Sequence, residues 1–433
     1  MKYYSTSDKA LKVSFKDALF SGMPEDEGLY MPEDIPNLSN YFKGKTHLSF
    51  QEIGYLIASQ FIDKELSIND LHEIIENSIT FDAPNKYIYD SIFCLELFHG
   101  PTLSFKDFGA QFMARCMEKF IHLNNKTTNI LVATSGDTGS AVAHGFYDVE
   151  GINVIILYPK GKVSQIQEKQ LTTLDKNIYA LEIEGTFDDC QRLVKKAFLD
   201  KSIKNKINIC SANSINIARL IPQSFYYIYS YMQLKDKSRE NVFCVPSGNF
   251  GNITAGVLAK KMGLPIDKFI AATNINDVVP EFFKNNEYNP KPSVTTISNA
   301  MDVGNPSNMV RIMDVYKTLD NLKNDMVSWS FSDKETKDCI IKAFNLNHCL
   351  LDPHSSIGLL GLQKYIKENK RDITGVFLGT AHPAKFSDIL ESIIDKKIEL
   401  PKTLSDTMEK EKKSKILKND YNEFYDYLIE TFQ

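Results

Sequence analysis

Apolar residues fall along this chain in two rhythms. Up to residue 90 they recur every three or four positions, as in FQEIGYLIASQFI and INDLHEIIENSI, with a loop containing MPEDEGLYMPEDIP ahead of them. That spacing belongs to amphipathic helices and predicts a separate, mainly helical N-terminal domain over 1–90. From residue 91 short β-branched runs take over and alternate with helical ones: NILVAT, INVIILYP, IYALEIEG, INICSA, NVFCVPSG, KFIAATN and ITGVFLGTA. Such alternation predicts parallel sheets joined by right-handed crossovers. The expected architecture is α/β: two open, mainly parallel sheets flanked by helices, in a first region at 91–235 and a second at 236–400. The remainder, 401–433, reads as a charged C-terminal tail ending in a helix, YNEFYDYLIETF. No internal repeat and no low-complexity block interrupts the pattern.

One junction between the rhythms is unusual. GPTLSFKDFG, residues 100–109, lies between the apolar run SIFCLELFHG and the segment DFGAQFMARCMEKFIHL, in which Phe108, Phe112, Cys116 and Phe120 share a helical face. Lys106 therefore sits where a strand passes into a helix. A helix-start lysine is commonly just a solvated charge, yet a cation is disfavoured at a helix N-terminus.

Composition narrows the chemistry. The 433 residues are 43% apolar with a net charge of -5, and Lys and Arg are spread evenly. There is no basic stripe for nucleic acid and no polybasic membrane anchor, so the natural partner is a small molecule. Seven cysteines without a C-x-x-C pair point to reduced thiols in the cytoplasm, with neither a disulfide framework nor a metal site. MKYYSTSDKALKVSF has no apolar signal core, and no apolar run approaches the ~20 residues that span a bilayer.

Open α/β sheets gather chemistry beyond the C-terminal ends of their strands, and three loops there stand out. ATSGDTGSA, residues 133–141, combines glycines, hydroxyls and Asp137 in a turn that enters a helix, a setting suited to a carboxylate or to an ordinary cap. PSGNFGN, residues 246–252, precedes a helix with Ile253, Val257, Leu258 and Met262 on one face and Gly263 and Pro265 as stops. Its Gly248 and Gly251 permit close backbone approach to a phosphate. G-x-G-x-x-G is absent, and the one GKT, Gly44 to Thr46, has Ser39 where a P-loop requires glycine. LGTAHPAKF, residues 378–386, puts Thr380 and His382 at a strand end. Alone, each of these two is more often structural, as a helix cap or a buried histidine. Together, an amine, an anion turn, a phosphate cradle and a further hydroxyl meet the needs of pyridoxal phosphate: a Schiff-base lysine, donors for the phosphate and a partner for the ring nitrogen.

At these residues the chain resembles the threonine synthases, within the pyridoxal-phosphate family that includes cysteine synthase, threonine dehydratase and the tryptophan synthase β-subunit. The resemblance runs through YYST at 3–6, GLYMPE at 28–33, GPTLSFKDFG, ATSGDTG, YPKGKVS at 158–164, PSGNFGN, SNAMDVGNPSN at 298–308, DPHSS at 352–356 and GTAHPAKF. It points to the long branch with an extra N-terminal domain, although Ser7 stands where that branch often has a basic residue. The resemblance implies fold type II of the pyridoxal-phosphate enzymes, a monomer, and conversion of O-phospho-L-homoserine and water to L-threonine and phosphate.

It also implies the site. Lys106 carries the cofactor and moves the protons; Ser247, Gly248, Asn249, Phe250, Gly251 and Asn252 bind its phosphate; Thr380 meets the ring nitrogen and Asp137 faces the ring hydroxyl. Ser135 and Thr138 take the substrate carboxylate, and Asn213, Ser214 and Arg219 of ANSINIAR take its phosphate, with Lys160 and Lys162 as weaker candidates. By residue type alone, Arg219 fits a surface ion pair equally well. A carboxylate at 137 beside an anionic ring oxygen predicts a raised, coupled titration. The alternatives are a phospho-lyase that stops at 2-oxobutyrate, another activity of the same cofactor family such as cysteine synthesis, and a non-enzymatic binding protein on the same fold.

Overall fold

A computed structural model describes residues 1–43, 48–122, 127–369 and 371–433. The Gly44–Thr46 stretch lies outside them. The N-terminal unit has more than helices: β1 (Tyr3–Ser5), β2 (Lys12–Val13) and β3 (Tyr30–Pro32) form a small antiparallel sheet in the order β2-β1-β3. Helices Phe15–Ser21, Phe50–Ile62 and Ile68–Ser78 complete the unit, with Tyr3 packed on Phe15 and its hydroxyl donating to the Phe61 carbonyl at 2.7 Å. The first begins with a reciprocal capping box between Ser14 and Asp17, which satisfies amide groups the first turn would leave open.

The strands that follow are β4 (Asn85–Tyr89), β5 (Ile92–Glu96), β6 (Thr128–Ala133), β7 (Ile152–Pro159), β8 (Ile178–Glu184), β9 (Ile209–Ser211), β10 (Glu240–Pro246), β11 (Lys268–Thr273), β12 (Met326–Ser330), β13 (Ile373–Gly379) and β14 (Lys415–Lys418). They build a six-stranded sheet, β12-β11-β10-β13-β5-β4, and a five-stranded sheet, β14-β8-β7-β6-β9. All pairings in both are parallel except that of β4 with β5. Covered on both faces by helices, the inner strands are continuous apolar runs, and every residue of β6 and β13 is buried.

The sheets cross two of the expected boundaries. β5, expected in the first region, pairs with β13 of the second, and the tail supplies β14 to the edge of the five-stranded sheet beside β8. Residues distant in sequence join because a parallel strand needs a long return connection, which the pattern along the chain does not address. The tail helix, Tyr421–Phe432, forms where expected and buries Phe424 and Leu428.

The largest apolar cluster joins the N-terminal unit, through Tyr3, Phe15, Ile57 and Phe61, to Phe108, Phe112, Cys116 and Phe120 of helix Lys106–His122. The helix that carries the lysine is thus clamped along its length. Helix Gly251–Lys261 is buried on all sides from Gly251 to Ala259, where a single apolar face was expected. All seven cysteines are buried free thiols, and among the described residues no helix is long and apolar enough to cross a membrane.

Candidate active site

The 100–107 turn is fixed from within. Asp107 is buried, accepting the Thr102 amide at 2.9 Å and the Thr102 hydroxyl at 2.6 Å. Burial nevertheless pushes its carboxyl up to about 6. The Phe105 amide donates to the Thr380 carbonyl at 2.9 Å, and Ser104 bridges to Ala381, so the end of β13 lies against the turn. Lys106 then opens the helix with its Nζ 3.8 Å from Asp137 Oδ2. Burial lowers the Lys106 ammonium; Asp137 opposes that shift, and Lys385 and Arg219 reinforce it.

The chain's own groups bear on Asp137 in opposite senses. Burial does raise it, but Lys385 Nζ at 2.7 Å, then Lys106, then Gln167 Nε2 at 2.8 Å outweigh burial and hold the carboxyl below the usual range. Lys385 itself is fully buried and donates a second bond to the Thr102 carbonyl at 2.8 Å. Around Asp137 the turn is shaped by Thr134, whose hydroxyl accepts the Gly136 and Gly139 amides at 3.0 and 2.8 Å. Gly136 sits at φ +141°, and a Cβ there would lie 2.6 Å from the Gln167 side chain. Ser135 and Thr138 are the half-buried members of this turn, while Thr134, Gly136, Asp137, Gly139 and Ser140 are buried.

The 246–252 loop ends at Phe250, whose φ of +60° is left-handed, and no side chain caps the helix beginning at Gly251. The amides of that first turn have no partner inside the helix. Asn252 gives its Oδ1 to the hydroxyls of Tyr226 and Tyr227, both at 2.8 Å, and leaves a buried Nδ2 without a partner. Gly248 is covered by the 298–308 loop: a Cβ on it would lie 2.8 Å from both the Ala300 carbonyl oxygen and Met301 Cα. Asn249 links the loops, donating to Ser214 Oγ at 2.6 Å and accepting the Ser307 amide at 2.6 Å. Ser247 is buried, its hydroxyl on the Val245 carbonyl at 2.9 Å.

The 212–219 stretch runs beneath Lys106. Arg219 is buried, with no surface ion pair; it donates to the carbonyls of Ala212 at 2.6 Å and Lys106 at 3.5 Å, and its Nε has no partner. Burial lowers it to about 10. Asn213 carries a buried, unpartnered Oδ1. Lys160 lies at the surface in an ion pair with Glu184 at 3.0 Å, and Lys162 is exposed.

Thr380 is buried, its amide donating to Ser355 Oγ at 3.2 Å; that hydroxyl in turn bonds the fully buried Asp352, the cap of helix Pro353–Glu368. The sequence reading missed Lys385, Gln167, Asp107 and Arg311. Arg311 is fully buried and donates to the carbonyls of Tyr30 at 3.0 Å, Ile215 at 2.7 Å and Ser214 at 3.4 Å and to Asn308 Oδ1 at 2.8 Å. It thereby ties β3 to the 212–219 stretch. Lys385 had one signal, a lysine between the apolar Ala384 and Phe386 of the strand-end motif; Arg311 had only its place among Met309, Ile312 and Tyr316.

A cofactor with an aldehyde and a phosphate fits this arrangement. Burial lowers the Lys106 amine, and the uncapped helix start at Gly251 and the spare buried Nδ2 of Asn252 are donors suited to an anion. Among the described residues no group of three or more His, Cys, Asp or Glu could hold a metal ion. Residues 81–378 match the family described as pyridoxal-phosphate dependent enzyme, residues 2–79 the threonine synthase N terminus and residues 355–428 the threonine synthase C-terminal family. Threonine synthase of Buchnera aphidicola subsp. Schizaphis graminum is 43% identical over 99% of this chain and 100% of its own. The crystal structure of threonine synthase from Escherichia coli superposes with a TM-score of 0.93 at 40% identity, covering 99% and 100% of the two chains. The pyridoxal-phosphate-bound threonine synthase of Brucella melitensis gives 0.92 at 33% identity, covering 99% of each.

Proposed function

The chain belongs to the threonine synthases, and from that premise we propose that it converts O-phospho-L-homoserine and water to L-threonine and phosphate, with Lys106 as its base. It is a pyridoxal-phosphate-dependent lyase of amino-acid biosynthesis. When bound, the cofactor takes the substrate amine on its aldehyde and draws electrons away from the neighbouring carbons.

The chain's own residues do the rest. The phosphate cradle is Ser247, Gly248, Asn249, Phe250, Gly251 and Asn252, supported by the uncapped helix start and the unpartnered Asn252 amide. Thr380 would meet the ring nitrogen and Asp137 the ring hydroxyl; the bond from Phe105 to Thr380 and the approach of Lys106 to Asp137 keep both beside the amine. Ser135 and Thr138 take the substrate carboxylate, for which their half-buried hydroxyls are suited. Asn213, Ser214 and Arg219 receive the substrate phosphate, supported by the Asn249–Ser214 bond that seats this stretch against the cofactor loop.

Lys106 removes the Cα proton and then one from Cβ, returns a proton to Cγ, which becomes the methyl group once phosphate has left it, and returns one to Cα after water has added at Cβ. Phosphate leaves from Cγ as a stable anion beside Arg219 and is itself a base near the water that adds at Cβ. The observation that carries this reading is the Lys106 amine, 3.8 Å from a buried carboxylate and lowered by its surroundings. The four units 1–90, 91–235, 236–400 and 401–433 serve as N-terminal domain, lysine region, phosphate region and tail. The enzyme works in the cytoplasm as a monomer on small molecules, without nucleic acid or membrane.

The test is product analysis of the purified holoenzyme with O-phospho-L-homoserine. Threonine and phosphate in equal amounts are expected. Release of 2-oxobutyrate in place of threonine moves the assignment to the phospho-lyase.

A further inference from the structure

We infer that Lys385 is a positioning residue of the reaction: by engaging Asp137 Oδ1 it claims the carboxylate that would otherwise pair with Lys106, and leaves the Lys106 amine able to give up its proton. The inference rests on Lys106 being the base. Asp137 Oδ1 receives two close donors, Lys385 Nζ at 2.7 Å and Gln167 Nε2 at 2.8 Å, whereas Lys106 Nζ stands 3.8 Å from Oδ2.

An ammonium paired alone with a buried carboxylate is held in its charged form, and a charged amine cannot accept a proton. Here the pairing is already taken. Four charged groups bear on Lys106: Asp137 from helix Asp137–Gly145, Lys385 from the turn after β13, Arg219 from helix Ile217–Leu220, and Asp107 from its own helix. Of the two carboxylates, Asp107 is occupied by Thr102 and Asp137 by Lys385. Lys385 is anchored independently, through its bond to the Thr102 carbonyl at 2.8 Å, so the 100–107 turn that presents Lys106 also fixes the residue that competes with it. A fully buried side chain at position 385 needs only volume if its role is packing; a charge there requires an electrostatic reason.

The experiment follows the Lys106 amine itself. The full-length chain, stripped of cofactor, is reductively methylated with formaldehyde across a pH series, and modification of the Lys106 peptide is quantified by mass. K385M is expected to move the midpoint upward by about one pH unit or more, and D137N to move it downward. In the D137N background, with no carboxylate left to claim, K385M is expected to move the midpoint clearly less than it does in the native chain, and an equal shift in both backgrounds would leave only direct repulsion and overturn the inference. A K385M midpoint equal to that of the native chain overturns the inference. Should K385M fail to fold, K385Q takes its place, and an unshifted K385Q midpoint overturns the inference instead. A native chain that captures no pyridoxal phosphate sinks the functional assignment while leaving this comparison standing.

Discussion

Gly248 and Ala300 touch so closely that a methyl group on Gly248 would lie 2.8 Å from the Ala300 carbonyl oxygen. Neither partner is a flexible side chain, so the 298–308 loop must move if Gly248 gains a Cβ. Gly251 differs, because a Cβ there meets only ordinary contacts at 3.5 Å with Asn308 and Ser214. Gly248→Ala is therefore expected to lower both the melting temperature of the cofactor-free chain and its hold on pyridoxal phosphate. Gly251→Ala is expected to weaken cofactor retention with little change in melting. Thermal unfolding with and without cofactor separates the two, and equal melting losses in both would remove the phosphate role of Gly251.

Lys106→Ala should abolish the absorbance of lysine-bound cofactor and reduce turnover by about a thousandfold or more. The fold should survive, since Asp137 keeps Lys385 at 2.7 Å and is not stranded as a buried unpaired charge. Circular dichroism checks the fold, and persistent threonine formation would reject the assignment of Lys106.

Two raised carboxyls should make part of the stability decline as pH rises towards neutrality. Burial raises Asp107 and Asp302 to about 6, above the roughly 3.9 of an unfolded aspartate. The folded chain then binds more protons than the unfolded one between these values, so the stabilising contribution is full below about pH 4 and lost as pH rises through 6. Asp137 acts in the opposite sense: held below its ordinary value, it contributes above about pH 4 and loses that contribution as pH falls. Denaturant melts from pH 4 to 8 should show Asp107→Asn flattening the decline between pH 4 and 7 by about 2 kcal/mol, and Asp302→Asn, at a half-buried site, by less. An unchanged slope in Asp107→Asn contradicts the raised value.

Arg311→Met should destabilise the chain by about 3 kcal/mol, because it leaves the carbonyls of Tyr30, Ser214 and Ile215 without a donor while preserving volume. As these lie in β3 and the 212–219 stretch, a rise in KM is expected with cofactor still bound. Urea unfolding and steady-state kinetics provide the measurements; loss of cofactor without a change in KM would show that Arg311 serves the cofactor instead.

Much of this was legible in the sequence. All eight apolar runs read as strands became strands, β5 to β11 and β13, and the helices after Lys106 and Ser247 begin where the turns end. Such features depend on neighbours within a few residues, through side-chain period and turn chemistry. Strands β12 (MVSWS) and β14 (KILK) were not legible, since polar residues interrupt or bracket their apolar ones and β14 buries only Leu417.

By itself the sequence determined the α/β alternation, the Lys106 junction and the turns that open the helices at Asp137 and Gly251, all set by local backbone preference. Only the tertiary structure decided which strands share a sheet, and that β14 returns from the tail to close one edge. It also decided the charges around Lys106. A lysine or arginine in a sequence reads as a solvated group until its surroundings are known. Burial removes that solvent from Lys385 and Arg311, and the partners that replace it come from segments as far away as Asp137 and Tyr30.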